Sequence, residues 1–162
     1  MDIWLLRHAS AEDRARSGRD SDRVLTPEGL ARAEHVAHGL ALLEPGISRV
    51  VTSPYRRARQ TAEAAAKALG ISAVSESRAL EPERDAQEIL VEVAESGSDV
   101  LLVGHQPHLG ALLGLLVAAG TEMPLKKAGV ARVTLDGRWS GTLRAFLPPE
   151  VLERLGRSAP GR

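Results

Sequence analysis

The chain has 162 residues, of which 43% are apolar and 26% are charged, and its 21 basic residues balance 21 acidic ones. This composition is typical of a single globular domain, which we expect to span residues 1–162. The zero net charge and an aromatic content of 2% give no sign of a nucleic-acid-binding face. Because the chain has no cysteine, disulfides, thiolate metal sites and a cysteine nucleophile are excluded.

The sequence also lacks the signals of a membrane or secreted protein. Its longest apolar run, around residues 109–119, is interrupted by glycines and is too short to span a bilayer. The N-terminus carries Asp2 and has no basic region ahead of an apolar stretch, unlike a signal peptide. We therefore expect a cytoplasmic protein that binds neither membranes nor nucleic acid.

Strand-like and helical segments alternate along the chain. Short apolar or β-branched runs predict four strands, at 3–6, 47–52, 71–74 and 99–104. Capping residues and three- to four-residue apolar spacing predict five helices, over about 27–43, 53–69, 85–95, 107–119 and 150–155. Two alternating segments, 130–135 and 142–146, flank Asp136-Gly137 and predict a β-hairpin. This order predicts an α/β fold, a three-layer α/β/α sandwich with a mostly parallel central sheet and an antiparallel hairpin at one edge.

Polar residues follow three of the predicted strands directly. The three segments are Arg7-His8, Ser53-Pro54-Tyr55-Arg56-Arg57 and Gly104-His105-Gln106-Pro107. Because the carboxyl ends of parallel strands meet at one edge of a sheet, we expect these segments to lie together. Imidazoles, guanidiniums and helix N-termini at one edge favour a bound anion, so this edge is a candidate phosphate pocket. The polar loop 10–25 follows the first strand and should lie over it.

These residue types suit phosphoryl transfer, which depends mainly on positioning and on neutralising the charge of the equatorial oxygens. An arginine does this with a planar fork of donors. A histidine nucleophile must be neutral, with its ring oriented by a hydrogen bond on the other nitrogen. A second histidine on the same edge, His105, can be protonated and donate to the transferring group. His105 and His108 could also indicate a metal, but Asp99 is the only nearby acid, so we expect no metal site.

Three segments, in this order, resemble the three signatures of the histidine phosphatase superfamily. They are Leu6-Arg7-His8-Ala9, Ser53-Pro54-Tyr55-Arg56-Arg57-Ala58-Arg59-Gln60-Thr61-Ala62 and Val103-Gly104-His105-Gln106-Pro107. The resemblance covers most of the chain and implies a phosphoglycerate mutase-like fold. The short chain, Arg-His-Ala in place of Arg-His-Gly, and the segment Leu80-Glu81-Pro82 resemble the small SixA-type phosphohistidine phosphatases.

The resemblance implies a role for each matched residue. His8 would form the phosphoenzyme, Arg7 and Arg57 would hold the phosphoryl oxygens, and His105 would complete the pocket. No cofactor is implied.

The SixA-like pattern Asp-x-x-Arg-x-Leu-Thr matches Asp20 and Arg23. Both residues would therefore line the mouth of the pocket and contribute to substrate binding. A simple ion pair within the loop is the alternative for these two.

The general acid is a separate question. Larger relatives, such as the cofactor-dependent phosphoglycerate mutases, place a glutamate after the third strand, where Glu81 and Glu83 are candidates here. SixA-type enzymes lack that acid, and imidazole leaves phosphorus more easily than an alkoxide, so protonating it matters less.

The sequence therefore predicts a metal-independent phosphatase with a phosphohistidine intermediate, whose substrate is a phosphorylated protein such as a histidine phosphorelay domain. A phosphatase of small phosphate esters, with Glu81 as the acid, is the first alternative. A non-catalytic member that binds phosphorylated protein is the second.

Overall fold

The computed structural model of the protein describes residues 1–43, 45–94, 97–137 and 139–158. Its six strands are β1 (Asp2–Arg7), β2 (Arg49–Thr52), β3 (Val74–Glu76), β4 (Val100–Gly104), β5 (Val130–Leu135) and β6 (Gly141–Leu147). They form one sheet in the order β3-β2-β4-β1-β5-β6. The first four strands in this order run parallel, whereas β5 is antiparallel to both β1 and β6. The predicted mostly parallel sheet with an edge hairpin is confirmed.

Helices cover both faces of this sheet and make it the middle of three layers. They are α1 (Pro27–Ala41), α2 (Arg56–Leu69), α3 (Glu88–Ala94), α4 (His108–Leu116) and α5 (Pro149–Ser158). Alternate side chains of β1 point to opposite faces, so Leu6 packs in the core under α1, α2 and α5, and Leu5 packs in the core under α3 and α4. Strand β4 is buried along its whole length because helices cover both of its faces. None of the described helices is long and apolar enough to cross a membrane.

Helix α1 begins as the sequence predicts, whereas α2 does not. The Thr26 hydroxyl oxygen accepts a 3.0 Å hydrogen bond from the Gly29 N–H and caps α1. Helix α2 was expected to begin with Ser53 as its cap, but it begins at Arg56, after Tyr55, without a side-chain cap. The Ser53 hydroxyl bonds to His105 instead.

Strand β3 lies a few residues later than the predicted strand 71–74. Gly70 ends α2 in the left-handed conformation, at φ 71°, and the Ile71 N–H bonds back to the Ala66 carbonyl of the helix. Ile71 is therefore used to close the helix, and pairing with β2 begins only at Val74. Helix α3 begins at Glu88 rather than near Asp85, because the Asp85 carboxylate accepts the Gln87 N–H and forms a turn there. Its predicted end at Glu95 lies outside the described residues.

Two helices approach each other so closely that only glycine fits at the crossing of α1 and α5. A Cβ on Gly156 would lie 1.9 Å from the His35 carbonyl oxygen, and one on Gly39 would lie 2.0 Å from the Leu152 carbonyl oxygen. Both distances are well inside van der Waals contact, so the backbones would have to separate to admit a methyl group. This crossing fixes α5 against the helix whose N-terminus packs near the end of β1.

Candidate active site

The carboxyl ends of β1, β2 and β4 meet, as the sequence predicts. The register pairs Arg7 with Gly104 and Thr52 with Val103. Beyond the strands, the His8 N–H donates to the Gly104 carbonyl at 3.0 Å, and the Ser53 N–H donates to the Val103 carbonyl at 3.0 Å. These bonds extend the sheet by one residue, so the polar side chains that follow it start from a rigid edge.

His8 is held as a neutral imidazole with one unprotonated ring nitrogen. Its Nδ1 lies 2.7 Å from the Ala9 carbonyl oxygen, which can only accept, so Nδ1 carries the proton. Its Nε2 is then unprotonated, and the Arg57 Nε–H donates to it at 3.3 Å. Burial, followed by the charges of Arg57 and Arg7, lowers the pKa of His8 to about 4 despite the Ala9 bond. At neutral pH the ring therefore presents a lone pair on Nε2, as a nucleophile must.

Arg57 connects His8 to the loop over the site. It is 5% exposed, and its two terminal nitrogens donate to Asp20, to the carbonyl at 2.8 Å and to carboxylate Oδ2 at 2.9 Å. Thr61, one turn later on α2, donates its hydroxyl to the Arg57 carbonyl and accepts the Ala9 N–H. This buried threonine thus ties the helix that carries Arg57 to the residue that orients His8.

Asp20 lies at the mouth of the site, between two arginines. Its Oδ2 accepts from Arg57 and its Oδ1 accepts from Arg23 at 2.7 Å. Partial burial acts to raise the pKa of Asp20, but the bonds from Arg23 and Arg57 outweigh it and hold that pKa below its usual range. Asp20 is therefore an ionised carboxylate in contact with the site, whereas Arg23 reaches the site only through Asp20.

The loop 10–25 lies over the site, as the sequence predicts, and it contains a short 3₁₀ turn at Asp20–Asp22. The Leu25 N–H donates to the Gln60 side chain of α2 at 2.8 Å, and the Thr26 N–H donates to the Ser10 carbonyl at 3.0 Å. These contacts anchor both ends of the loop segment that places Asp20 on Arg57.

Arg7 supplies a second guanidinium. Its Nη1 donates to the Leu125 carbonyl at 2.8 Å, while its Nε is buried and has no acceptor among the described residues. A buried donor without a protein acceptor is costly, and an anion bound beside His8 would satisfy it. Burial lowers the pKa of Arg7, which nevertheless remains a cation at neutral pH.

His105 is a neutral imidazole in this site, although the sequence by itself allows it to be protonated. It is 2% exposed, and its ring centroid lies 5.0 Å from that of His8. Burial lowers the pKa of His105 to about 2, and the neighbouring His8 and Arg57 add to the effect. A histidine among cations away from water gains no partner for a positive charge, so it serves the site as a neutral imidazole.

Glu81 follows a 3₁₀ turn at Arg78–Leu80 and lies on the Tyr55 side of the mouth. Its Oε2 is 3.9 Å from the Arg84 Nε, a loose ion pair. Burial first, and then the carboxylates of Glu81 and Asp20, raise the pKa of the Tyr55 hydroxyl. Tyr55 in turn packs edge-on against His105, with ring centroids 5.2 Å apart. Glu81 is thus close enough to act electrostatically on Tyr55, whose ring contacts His105.

Residues 3–90 match the family model of the histidine phosphatase superfamily (branch 1), which is more than half of the chain. The chain belongs to the histidine phosphatase superfamily. It is 30% identical over 154 residues to phosphohistidine phosphatase SixA of Escherichia coli (strain K12), across 92% of this chain and 94% of that protein. The family and this E. coli relative are phosphatases, and this chain is a phosphatase too.

Two solved structures share the fold of this histidine phosphatase over nearly the whole chain. The protein histidine phosphatase SixA complexed with tungstate matches with a TM-score of 0.86 and 29% identity, across 94% of this chain and 99% of that one. A phosphoglycerate mutase from Bacillus anthracis str. Sterne matches with a TM-score of 0.74 and 15% identity, across 98% and 97%. The expected phosphoglycerate mutase-like fold is confirmed.

Lys127 is a further cation whose charge acts on His8, and its sequence context indicates no role for it. Its charge contributes, after burial and the two arginines, to lowering the pKa of His8. The segment before β5 is held there because the Ala128 N–H donates to the Arg7 carbonyl at 3.0 Å. The only signal in the sequence was an adjacent lysine pair, Lys126-Lys127, in a chain with three lysines.

Arg59, in the second signature, lies on the exposed face of α2, where it pairs with Glu63 and Glu76 at 3.0 Å. Among the residues that the structure describes, no group of three or more His, Cys, Asp or Glu side chains is arranged to hold a metal ion.

Proposed function

We propose that this histidine phosphatase hydrolyses phosphohistidine on a phosphorylated protein, through a covalent phosphoenzyme at His8. The observation that carries the mechanism is the state of the His8 ring. The Nδ1 bond to Ala9 leaves Nε2 unprotonated, and Nε2 lies next to the guanidinium of Arg57. Nε2 attacks phosphorus in line, and the bond to the leaving group breaks as the new N–P bond forms. Water then attacks phosphorus, the N–P bond breaks with its electron pair returning to Nε2, and phosphate leaves carrying the oxygen and the protons of that water.

The transferring group carries negative charge that three donors would neutralise. Arg7 offers its unpartnered Nε, Arg57 offers the guanidinium that already contacts His8, and His105 lies beside the nucleophile as a neutral donor. All three are mostly buried, where a fixed donor stabilises developing charge more strongly than it does in water.

The state of Asp20 favours phosphohistidine over an alkyl ester as the substrate. Asp20 is the carboxylate in direct contact with Arg57, and its two arginine partners keep it ionised. An ionised carboxylate has no proton to give to a departing alkoxide, whereas a departing imidazole needs much less assistance. The relatives point the same way, because the matched E. coli protein is a phosphohistidine phosphatase and the solved SixA is a protein histidine phosphatase.

A comparison of kcat/KM tests the substrate class. The phosphatase is assayed on a phosphohistidine-bearing phosphorelay domain and on a panel of esters with leaving groups of increasing pKa, such as phosphoserine and 3-phosphoglycerate. We expect kcat/KM to be highest for the phosphoprotein and to fall steeply with leaving-group pKa. An alkyl ester turned over as fast as the phosphoprotein would contradict the proposal. The phosphoenzyme, trapped by rapid quench, should survive alkali but not acid and should be absent from His8→Ala.

The first alternative, a phosphatase of small esters, has its own observation in Glu81, at the rim beside Tyr55. Glu81→Gln separates the two: it should leave phosphohistidine turnover unchanged, but it should slow alkyl ester turnover if Glu81 is the acid. The second alternative, a binding protein without turnover, would give stoichiometric binding of phosphoprotein and no phosphate release. Activity retained after treatment with EDTA would support the metal-independent reaction, and loss restored by a divalent metal would contradict it.

A further inference from the structure

Because His105 is neutral, only one of its two ring nitrogens carries a proton. A neutral imidazole has one N–H donor and one lone pair, so it can donate to a phosphoryl group only from the nitrogen that carries the proton. The His105 Nε2 lies 2.9 Å from the Ser53 hydroxyl oxygen, while Nδ1 is buried and has no partner among the described residues. The direction of the bond between His105 and Ser53 therefore decides what Nδ1 can do.

The hydrogen and the oxygen of the Ser53 hydroxyl both need hydrogen-bond partners within the protein. Ser53 is 0% exposed, so water does not reach its hydroxyl. The Tyr55 N–H already donates to the Ser53 oxygen at 3.3 Å, which uses one of its two lone pairs. The hydroxyl hydrogen needs an acceptor, and the bonds of the described residues place one at His105 Nε2. With an anion bound beside Nδ1, the Nδ1-protonated ring satisfies both groups, whereas an Nε2-protonated ring would leave the Ser53 hydrogen buried without an acceptor, which typically costs about 1–3 kcal/mol.

We propose that Ser53 is a positioning residue: its hydroxyl donates to Nε2 of His105 and so holds the proton of this imidazole on Nδ1. His105 then donates from Nδ1 to an oxygen of the phosphoryl group that His8 accepts. The inference rests on the proposed role of His8 as the nucleophile. It also explains why Ser53 does not cap α2, because its hydroxyl hydrogen and oxygen are used to orient Tyr55 and His105.

Different partners thus hold the two histidines in the same tautomer, in which Nδ1 carries the proton. In His8 a backbone carbonyl accepts from Nδ1 and leaves Nε2 free to attack. In His105 a serine hydroxyl donates to Nε2 and leaves the Nδ1 proton free to be given to an anion. The partners, Ala9 and Ser53, lie just beyond the ends of β1 and β2, so the sheet edge that positions the rings also sets their protonation.

The tautomer can be read directly by ¹⁵N NMR of the imidazoles in the full-length, wild-type protein at neutral pH and saturated with inorganic phosphate, without an activity assay. The signals of His105 are assigned by their loss in His105→Gln. We expect the pattern in which Nδ1 carries the proton and Nε2 accepts a hydrogen bond. An Nε2-protonated His105 in the wild type would overturn the inference, whether or not any serine variant folds.

Variants at Ser53 test the catalytic consequence. Ser53→Ala should shift His105 toward the Nε2-protonated form and lower kcat by about 10- to 100-fold, the effect of losing a group that orients a histidine. Ser53→Thr keeps the hydroxyl and should restore the Nδ1 proton and most of the turnover. Ser77→Ala is the matched control, because Ser77 is also buried but caps the 3₁₀ turn at Arg78–Leu80, away from His105.

The outcomes for Ser53→Ala separate this inference from the substrate proposal. An unchanged tautomer, or a changed tautomer with unchanged kcat, would overturn the inference. A changed tautomer with slower turnover supports it even if the preferred substrate is an ester. Conversely, a clear preference for phosphohistidine with an Nε2-protonated His105 would leave the substrate proposal standing and remove Ser53 from the mechanism.

Discussion

Lowering the pH from 7 toward 4.5 should destabilise the folded protein through two buried histidines, His8 and His105. In the unfolded chain both titrate near 6.5, whereas burial lowers their pKa in the folded state to about 4 and about 2. As the pH falls below 6.5, the unfolded chain takes up at least these two protons that the folded protein does not, and burial lowers the pKa of a third histidine, His108, in the same direction. The stability that the neutral rings contribute is thus present above pH 6.5 and is lost as the pH falls toward the folded pKa values.

The magnitude follows from the number of protons. Each histidine that is protonated only in the unfolded chain changes the free energy of unfolding by about 1.4 kcal/mol per pH unit, so the pair changes it by about 2.7 kcal/mol per unit. Over the two units below pH 6.5 the loss is about 5 kcal/mol, a large part of the stability of a typical domain. Asp2 and Asp20 act in the same direction only below about pH 4, because their pKa values are lowered from 3.8.

The assay is urea unfolding followed by circular dichroism, in phosphate-free buffers between about pH 4.5 and pH 7.5. We expect the free energy of unfolding of the wild type to fall with a slope of at least two protons, to which His108 adds. His8→Gln and His105→Gln should each remove about one proton, or about 1.4 kcal/mol per unit, from that slope. His38→Gln, on the exposed face of α1, is the control and should leave the slope unchanged. A wild-type stability that is flat between pH 6.5 and 5, or slopes unaffected by both site variants, would refute the reasoning.

Three further variants test the site and its support. Arg57→Lys removes the planar fork and should lower kcat/KM by about 10²- to 10³-fold, even though the charge is kept; an effect below tenfold would argue against a bidentate contact. Lys127→Ala should weaken kcat/KM several-fold, more at low salt than at high salt. Lys126→Ala is its control, because that side chain points to Glu150 at 3.9 Å; equal effects would show that Lys127 acts only through net charge. Gly156→Ala should lower the free energy of unfolding by about 1–3 kcal/mol in urea titrations, since its methyl would meet a backbone carbonyl of α1; unchanged stability would mean that the crossing relaxes freely.

Much of the site could be predicted because its residues follow strands whose hydrophobic pattern is unambiguous. Strand β4 is apolar at every position, and a strand buried on both faces belongs in the middle of a parallel sheet. Once β1, β2 and β4 are parallel neighbours, the residues after them share one edge, whatever the loops do. Arg7, His8, Arg57 and His105 are close together for this reason. Helix starts and strand starts were predicted less well, because Ser53 and Ile71 use their polar groups for tertiary or capping contacts.

The sequence by itself determined the order of strands and helices, the sheet edge and the family signatures, since these depend on local apolar pattern and on contiguous motifs. Only the tertiary structure decided the charge of each group and its partners. Asp20 bonds to Arg57, which lies 37 residues later in the sequence, and Ser53 bonds to His105, which lies 52 residues later. Whether a histidine is neutral depends on how much water and how many cations surround it, and that is set by packing from distant parts of the chain. His105, which the sequence allows to be protonated, is neutral for this reason. The charge of Lys127 acts on His8 because the next residue, Ala128, donates its N–H to the Arg7 carbonyl, a contact that no local pattern reveals.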